Sequence, residues 1–203
     1  GQADAALIDI GEVEVLIDAG NNSDGSTVVN YIRPYVDGEL DLVIETHPDA
    51  DHIGGMDDVL AAYEVGGAII SGDTSDTATF RDFYNALQNE PDCIYAEDAD
   101  ATIPLGYYDA YLNIIETGDN YSDSNDNSVV VELVYNNVKT LFTGDMSSDV
   151  ENTNLSKFED IDVLKVGHHG SAYSTSSAFL NVVKPEFAVI SAGVGNSYGH
   201  PAA

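Results

Sequence analysis

The sequence is poor in positive charge. Its 203 residues include six Lys plus Arg against 36 Asp plus Glu, a formal net charge of −30. Such a surface repels phosphate backbones, and nucleic-acid binding ordinarily requires cationic neutralisation. Tight DNA binding is therefore not expected. If a polyanion is the substrate, metal ions must supply most of the local positive charge. Taken alone, the acidity reads as a device for solubility, as in a salty environment. Cysteine is almost absent: Cys93 stands alone. This excludes an intrachain disulfide and any zinc site built from cysteines, and Cys93 is expected to be a small buried apolar residue. Long hydrophobic runs are missing too. Stretches such as Ser128–Leu133 and Phe187–Ile190 are far too short to cross a bilayer. No low-complexity segment or tandem repeat is seen, and no signal peptide is expected within these residues. The chain opens at Gly1 in what reads as the lead into a strand, so upstream sequence is expected to have been removed. Abundant Asp, Asn, Ser and Tyr with few Lys slightly favour an extracytoplasmic or cell-surface location over a cytoplasmic one.

What remains is a globular composition, 43% hydrophobic, long enough for one domain over residues 1–203. Ala6–Ile10 and Glu12–Ile17 read as a hairpin turning near Gly11. Ser26–Tyr35 reads as a helix with Ser26 as its N-cap, Leu40–Thr46 as a buried strand, Gly55–Glu64 as a helix and Ala68–Ser71 as a strand. Ser75–Asn89 carries Phe80, Phe83, Tyr84 and Leu87 at helical spacing. In the second half, Tyr107–Glu116 and Ser128–Tyr135 read as strands. Asn136-Asn137 turns the chain into Val138–Thr143. Ile161–Val166 and Phe187–Ser191 are further strands around a helix at Ser174–Val183. Two β-rich halves with interspersed helices predict two packed sheets with helices outside.

All five histidines, His47, His52, His168, His169 and His200, follow predicted strands or sit in glycine-rich loops shortly beyond them, where α/β folds place their sites. In Thr46-His47-Pro48-Asp49-Ala50-Asp51-His52-Ile53-Gly54-Gly55, four potential metal ligands fall within six residues. An extended backbone would point His47, Asp49 and Asp51 to one side. His52 would follow as the chain turns into a helix, and Gly54 and Gly55 would permit the sharp turn. Neutral imidazole with carboxylate suits a divalent cation; the competing reading is an acidic helix-capping loop. Leu141-Phe142-Thr143-Gly144-Asp145 ends an apolar strand on a carboxylate, which either caps the next helix or serves two metals. Lys165-Val166-Gly167-His168-His169-Gly170-Ser171 places adjacent histidines at a strand end, and Tyr198-Gly199-His200-Pro201 adds a fifth imidazole.

Taken together these segments resemble the metallo-β-lactamase superfamily. Within it they look most like the hydrolase-like domain of the ComEC type, found at the C-terminal end of the competence DNA-uptake channel and also as stand-alone proteins. The matching text includes Gly1-Gln2-Ala3-Asp4-Ala5, Leu16–Gly20, His47–Gly55, Asn125–Ser128, Thr143–Asp145, Lys165–Ser171 and Asn196–Pro201. The resemblance implies an α/β fold, the αββα sandwich of two β-sheets flanked by helices. It further implies one or two divalent metal ions, zinc or manganese. His47, Asp49, Asp51 and His52 fall on the superfamily's HxHxDH motif and Asp145 on its bridging carboxylate. His169 or His200 would supply the last imidazole. Asp51 would also orient the attacking water, and His168 would assist proton transfer or bind the scissile group. Asp4, Asn125, Ser128 and Ser171 would support the ligands.

Two departures matter. Asp49 replaces the superfamily's second histidine, and Asn125 or a neighbour replaces the third-motif histidine, as in the ComEC type. One site thereby becomes richer in oxygen and more suited to Mn²⁺ or Mg²⁺, while the other keeps a zinc-compatible set. Relatives usually continue beyond Pro201, so a final strand or helix is expected to be missing. The implied function is a metal-dependent hydrolase, phosphodiesterase or nuclease-like, acting on a small-molecule or nucleic-acid phosphoester. The alternatives are a lactone or other ester hydrolase of the same fold, or a non-catalytic binding module with a vestigial metal site.

Overall fold

The computed structural model describes residues 2–90, 94–97, 101–106, 109–115, 117 and 121–202, the strand at 94–97 by its backbone alone. Cys93 lies outside the described residues, as do Tyr107, Tyr108 and Glu116 of the strand expected at Tyr107–Glu116. The chain divides into two compact units, Ala3–Asp98 and Gly1–Gln2 with Ala99–Ala203.

The first unit carries a five-stranded sheet in the order β1-β2-β3-β4-β5. β1 (Ala6–Asp9) and β2 (Glu14–Ile17) form the expected antiparallel hairpin, with Gly11 at φ +69°. β3 (Leu42–Ile44), β4 (Gly67–Ile70) and β5 (Ile94–Glu97) then add in parallel. The helices between them lay apolar stripes on the sheet. α1 (Gly25–Ile32), α3 (Met56–Ala62) and α4 (Ala78–Leu87) bury Ile32, Met56, Val59, Phe80, Phe83 and Leu87 against Leu16 and Val43. α1 stops short of the expected Tyr35 because Pro34 has no N–H to continue the helical ladder, although Arg33 before it keeps right-handed helical backbone (φ −49°, ψ −37°). It also starts a residue earlier, behind Asp24, whose carboxylate instead accepts the Asn21 N–H at 3.0 Å. α4 is capped by Thr77, which accepts the Phe80 N–H at 3.1 Å.

A short helix, α2 (Ala50–Ile53), was not expected. The backbone is extended only as far as Asp49 (φ −75°, ψ 145°), so Asp51 projects from a helical turn rather than from an alternating strand, while His52 follows in that turn as expected. The two glycines behind it are not there for a sharp turn, since neither has a positive φ. A Cβ on Gly54 would lie 2.2 Å from the Asn22 nitrogen, and one on Gly55 2.4 Å from the Ala19 oxygen. Close backbone approach is what requires them.

The second unit carries a six-stranded sheet in the order β11-β10-β9-β8-β7-β6. β6 (Ala101–Pro104), β7 (Ala110–Ile115), β8 (Val130–Tyr135) and β9 (Val138–Phe142) pair antiparallel in succession. β10 (Val163–Lys165) and β11 (Phe187–Val189) follow in parallel. α5 (Ser148–Thr153) and α6 (Ser177–Val183) contribute Val150, Phe179 and Val183 to a core with Val130, Leu141, Met146, Phe158, Ile161 and Leu164. Phe158 and Phe179 meet edge to face with centroids 5.0 Å apart. α5 left no periodic signal in the sequence, because Ser-Asp-Val-Glu-Asn-Thr holds one apolar residue. No helix among the described residues is long and apolar enough to cross a membrane.

Candidate metal centre

In the first unit the expected ligands gather where β2 and β3 end. Asp18 leaves β2 in the left-handed region (φ +56°), which turns its carboxylate inward, and it is fully buried. Its Oδ1 accepts the Thr46 N–H at 2.9 Å, and its Oδ2 accepts the Thr46 hydroxyl at 2.7 Å. His52 Nδ1 lies 2.7 Å from the same Oδ2. The Thr46 hydroxyl, having given its proton to Asp18, accepts from His47 Nδ1 at 3.0 Å. This chain fixes both tautomers. His47 and His52 carry the proton on Nδ1, so the lone pair sits on Nε2, the form in which imidazole binds metal. Both rings are completely buried, with centroids 4.1 Å apart. Asp49 and Asp51 flank them, half-buried, with Asp49 at the N-cap position of α2. Asp4 is buried, and its backbone ties this corner together: its N–H donates to Asp51 O at 3.0 Å, and its carbonyl accepts the Gly20 N–H at 2.7 Å.

Asp18 and Thr46 escaped the sequence reading as functional residues. The available signal was the likeness of Ile17-Asp18-Ala19-Gly20 to Thr143-Gly144-Asp145: each is an apolar strand ending on an aspartate. Asp18→Asn would lose the acceptor that His52 Nδ1 requires. Metal affinity measured by chelator competition is expected to fall about 10–100-fold, the usual cost of losing a carboxylate behind a ligating histidine. Unchanged affinity would show that His52 is oriented by its packing alone.

Glu45, one residue before Thr46, is 1% exposed. Its carboxyl accepts the Ser71 N–H at 2.7 Å and the Ser71 hydroxyl at 3.2 Å. Burial, with Asp18 and Asp73 adding to it, pushes its pKa up to about 8 against those two hydrogen bonds.

In the second unit the ligand-type side chains meet at the ends of β9 and β10. Asp145 is 3% exposed, and its backbone N–H donates to Ser128 Oγ at 3.1 Å. The Ser128 hydroxyl in turn donates to the Asn125 carbonyl at 2.7 Å. Asn125 thus enters this support through its backbone.

His168 and His169 both adopt left-handed backbone, at φ +47° and +53°. Such residues cost about 1–2 kcal/mol each and persist only when their surroundings over-determine them. The surroundings here are explicit. His168 N–H donates to Gly144 O at 3.2 Å, Ser171 N–H to His168 O at 2.8 Å and Ala202 N–H to Gly170 O at 2.8 Å. Gly167 N–H donates to Thr175 Oγ1 at 3.1 Å, and Ser174 Oγ to Gly167 O at 2.8 Å. Glu151, fully buried on α5, accepts the N–H groups of Thr175 and Ser176. Burial raises its pKa even so. α6 begins at Ser177, three residues after the expected start, because Thr175 is left-handed (φ +53°) and Ser176 is extended and caps the helix by accepting the Phe179 N–H at 3.1 Å. Ser171 is buried and receives the Tyr173 N–H at 3.2 Å. Gly170, at φ +79°, has no space for a Cβ, which would meet Pro201 at 2.8 Å.

His169 Nδ1 lies 3.2 Å from the Ser191 carbonyl, which again places the proton on Nδ1 and the lone pair on Nε2. That Nε2 is 3.4 Å from Asp145 Oδ2, and His168 Nε2 is 3.7 Å from the same oxygen. Two ligands held about 2.0–2.2 Å from a tetrahedral zinc stand about 3.3–3.6 Å apart. The Asp145–His169 spacing and the donor types therefore fit a divalent ion. His200 meets His168 edge-on, with centroids 5.9 Å apart, and stacks with His169 at 6.5 Å. Its backbone N–H is held by Asn196 Oδ1 at 3.0 Å. Burial, then His168 and His169, hold its pKa below the usual imidazole range, which favours the neutral, ligating form. His168 is the more exposed of the Asp145 neighbours, with 29% of its side chain accessible.

Among proteins of known name, ComE operon protein 3 of Bacillus subtilis (strain 168) is 31% identical over 166 residues, 80% of this chain and 21% of that protein. Competence protein ComA of Neisseria gonorrhoeae is 29% identical over 205 residues, covering 99% of this chain and 27% of its own length. Recombination protein 2 of Haemophilus influenzae (strain ATCC 51907 / DSM 11121 / KW20 / Rd) is 31% identical over 205 residues, 99% of this chain and 24% of that protein. The chain spans about a quarter of the length of these relatives, which agree with the resemblance to ComEC-type competence proteins. Solved structures share the fold. A metallo-β-lactamase with a HARLDQ motif from Cronobacter sakazakii gives a TM-score of 0.56 at 13% identity, covering 80% of this chain and 73% of that one. The metallo-β-lactamase fold protein YhfI from Bacillus subtilis gives 0.55 at 17% identity, covering 80% and 62%. The expected αββα fold class is thus the one these structures have. With the sequence model described as "Metallo-beta-lactamase superfamily" matching residues 1–194, the chain belongs to the metallo-β-lactamase superfamily.

Proposed function

We propose that this chain is a metal-dependent phosphodiesterase. The observation that carries the reading is the tautomer control in both units. Carboxylate, hydroxyl and carbonyl acceptors take the Nδ1 protons of His47, His52 and His169, leaving each Nε2 basic. Nothing in packing alone requires three buried imidazoles to share one protonation pattern, whereas divalent metal binding does. Membership of a superfamily of metal-dependent hydrolases supports the same reading. A bound divalent ion, zinc or manganese, supplies Lewis-acid polarisation and a water acidified from 15.7 towards about 7. In the first unit we assign ligand roles to His47, Asp49, Asp51 and His52, and in the second to Asp145 and His169, with His200 as a further imidazole. Asp51 would orient the attacking water, and the accessible His168 would assist proton transfer or bind the scissile group.

The phosphodiester choice is supported by the relatives, whose names speak of competence and recombination. With six Lys plus Arg in the chain, affinity for a long polyanion is expected to be weak, so short or locally presented phosphodiesters suit it best. An extracytoplasmic or cell-surface location remains part of the proposal.

The test is hydrolysis of a chromogenic phosphodiester by metal-stripped protein, with Mn²⁺ or Zn²⁺ added back. Metal-dependent turnover is expected. Folded protein that turns over a lactone or carboxylic ester but not the phosphodiester would move the function to that substrate class. No turnover with any of them would leave a binding module.

A further inference from the structure

At the end of the first unit's sheet away from Asp18 and His47, the chain collects carboxylates around one that is buried. Glu14 opens β2 and is 2% exposed. Its neighbour across the hairpin is Asp9. Its backbone N–H donates to Asp41 Oδ2 at 2.9 Å, and the Asp41 N–H returns to Glu14 O at 3.1 Å. Glu12 lies in the hairpin turn, and Asp37 in the loop that follows α1. Asp9, Glu12 and Asp37 are exposed and Asp41 half-buried. Glu14 Oε1 is out of contact with water and has no hydrogen-bond partner among the described residues. Among the described residues no Lys, Arg or His forms an ion pair with any of the five.

A buried carboxylate oxygen with neither donor nor cation is expensive, and four further carboxylates make it more so. A proton on Glu14 would neutralise one charge of five. A divalent cation would neutralise two and give the orphaned oxygen a partner. All the available donors are oxygen, which selects a hard ion over zinc, and the irregular placement suits the tolerant coordination of calcium.

We propose that Glu14, Asp37 and Asp41, with Asp9 and Glu12 at the rim, form a binding site for a calcium-type divalent cation, separate from the imidazole-containing centre. The donors are not gathered in advance, for no three of these carboxylates have oxygens within 4.8 Å of one another. Binding must draw the exposed Asp37 and Asp9 inward, so the affinity belongs in the weak range, about 10⁻⁴–10⁻³ M. Protons compete with the ion. Burial and the charges of Asp37, Asp41, Asp9 and Glu12 push Glu14 up to about 7, so calcium affinity falls about tenfold from pH 8 to pH 6.

The experiment is calcium titration of the full chain by calorimetry at pH 8 and pH 6, for the native protein, Glu14→Gln, Asp37→Asn and His52→Ala. The native protein is expected to take up calcium at pH 8, and His52→Ala to retain that uptake. Glu14→Gln should weaken it at least about tenfold and Asp37→Asn severalfold. Since Asp37 is exposed, its variant decides the matter if Glu14→Gln does not fold. Absence of calcium uptake by the native protein at about 10 mM, or uptake by both carboxylate variants equal to the native, would overturn the site.

Discussion

Replacing Asp145 by Ala is expected to lower metal-dependent turnover by at least about a thousandfold while the protein stays folded. The carboxylate ends β9, is 3% exposed and stands 3.4 and 3.7 Å from the Nε2 atoms of His169 and His168. Its backbone, anchored on Ser128, would keep its course in the variant. What disappears is an anionic donor beside two imidazoles. Without it a bound cation loses a ligand, and the acidification of its water, worth several pKa units, weakens with it. His52→Ala is expected to match this loss, because it removes an imidazole donor, the one that the Asp18 carboxylate orients. The checks are turnover, metal content after dialysis and thermal melting, made on the same preparations. Both variants losing activity with metal content reduced and melting preserved is the expected pattern. Turnover retained in either variant would sink the assignment of that residue.

The second large effect is on stability against pH. Glu45 and Glu14 are buried carboxyls with folded-state pKa values of about 8 and about 7, against 4.5 when exposed. In both, burial is the first cause. The sign follows from proton counting. Between the unfolded and folded pKa values the native state holds a proton that the unfolded state has released, so stability falls as pH rises. For Glu14 the loss runs from about pH 4.5 to 7, and for Glu45 on to about pH 8. At 1.36 kcal/mol per unit the Glu45 loss is on the order of 5 kcal/mol when complete, and Glu14, less deeply enclosed, adds less. Metal-free protein is therefore expected to melt highest under mildly acidic conditions and progressively lower towards pH 9. Glu45→Gln and Glu14→Gln mimic the protonated forms and should each flatten the curve and raise melting at pH 8.5. A melting temperature level from pH 5 to 9 in native protein would show that both carboxyls ionise freely in the fold.

Much of the site is legible in the sequence because ligand chemistry is local along the chain. His47, Asp49, Asp51 and His52 fall within six residues, and Asp145, His168 and His169 each follow an apolar run that ends in a turn. Periodicity finds most strands and the amphipathic helices α1, α3 and α4 for the same reason: alternation and helical spacing are properties of short windows. It fails where no window carries the information. α5 has a single buried apolar residue followed by the buried Glu151, and α2 is a single turn formed between Asp49 and Gly54.

The sequence by itself determined which side chains could bind a metal, the family, and the acidic character that limits the substrate. Only the tertiary structure decided how those side chains are held. Thr46 lies 28 residues from the Asp18 that accepts its proton, His52 lies 34 from it, and Glu151 lies 24 residues from the Thr175 amide it receives. The state of Glu14, likewise, depends on Asp37 and Asp41 being folded back beside it. Orientation, tautomer and proton affinity depend on distance and burial, and residues far apart in the chain acquire those only when it folds.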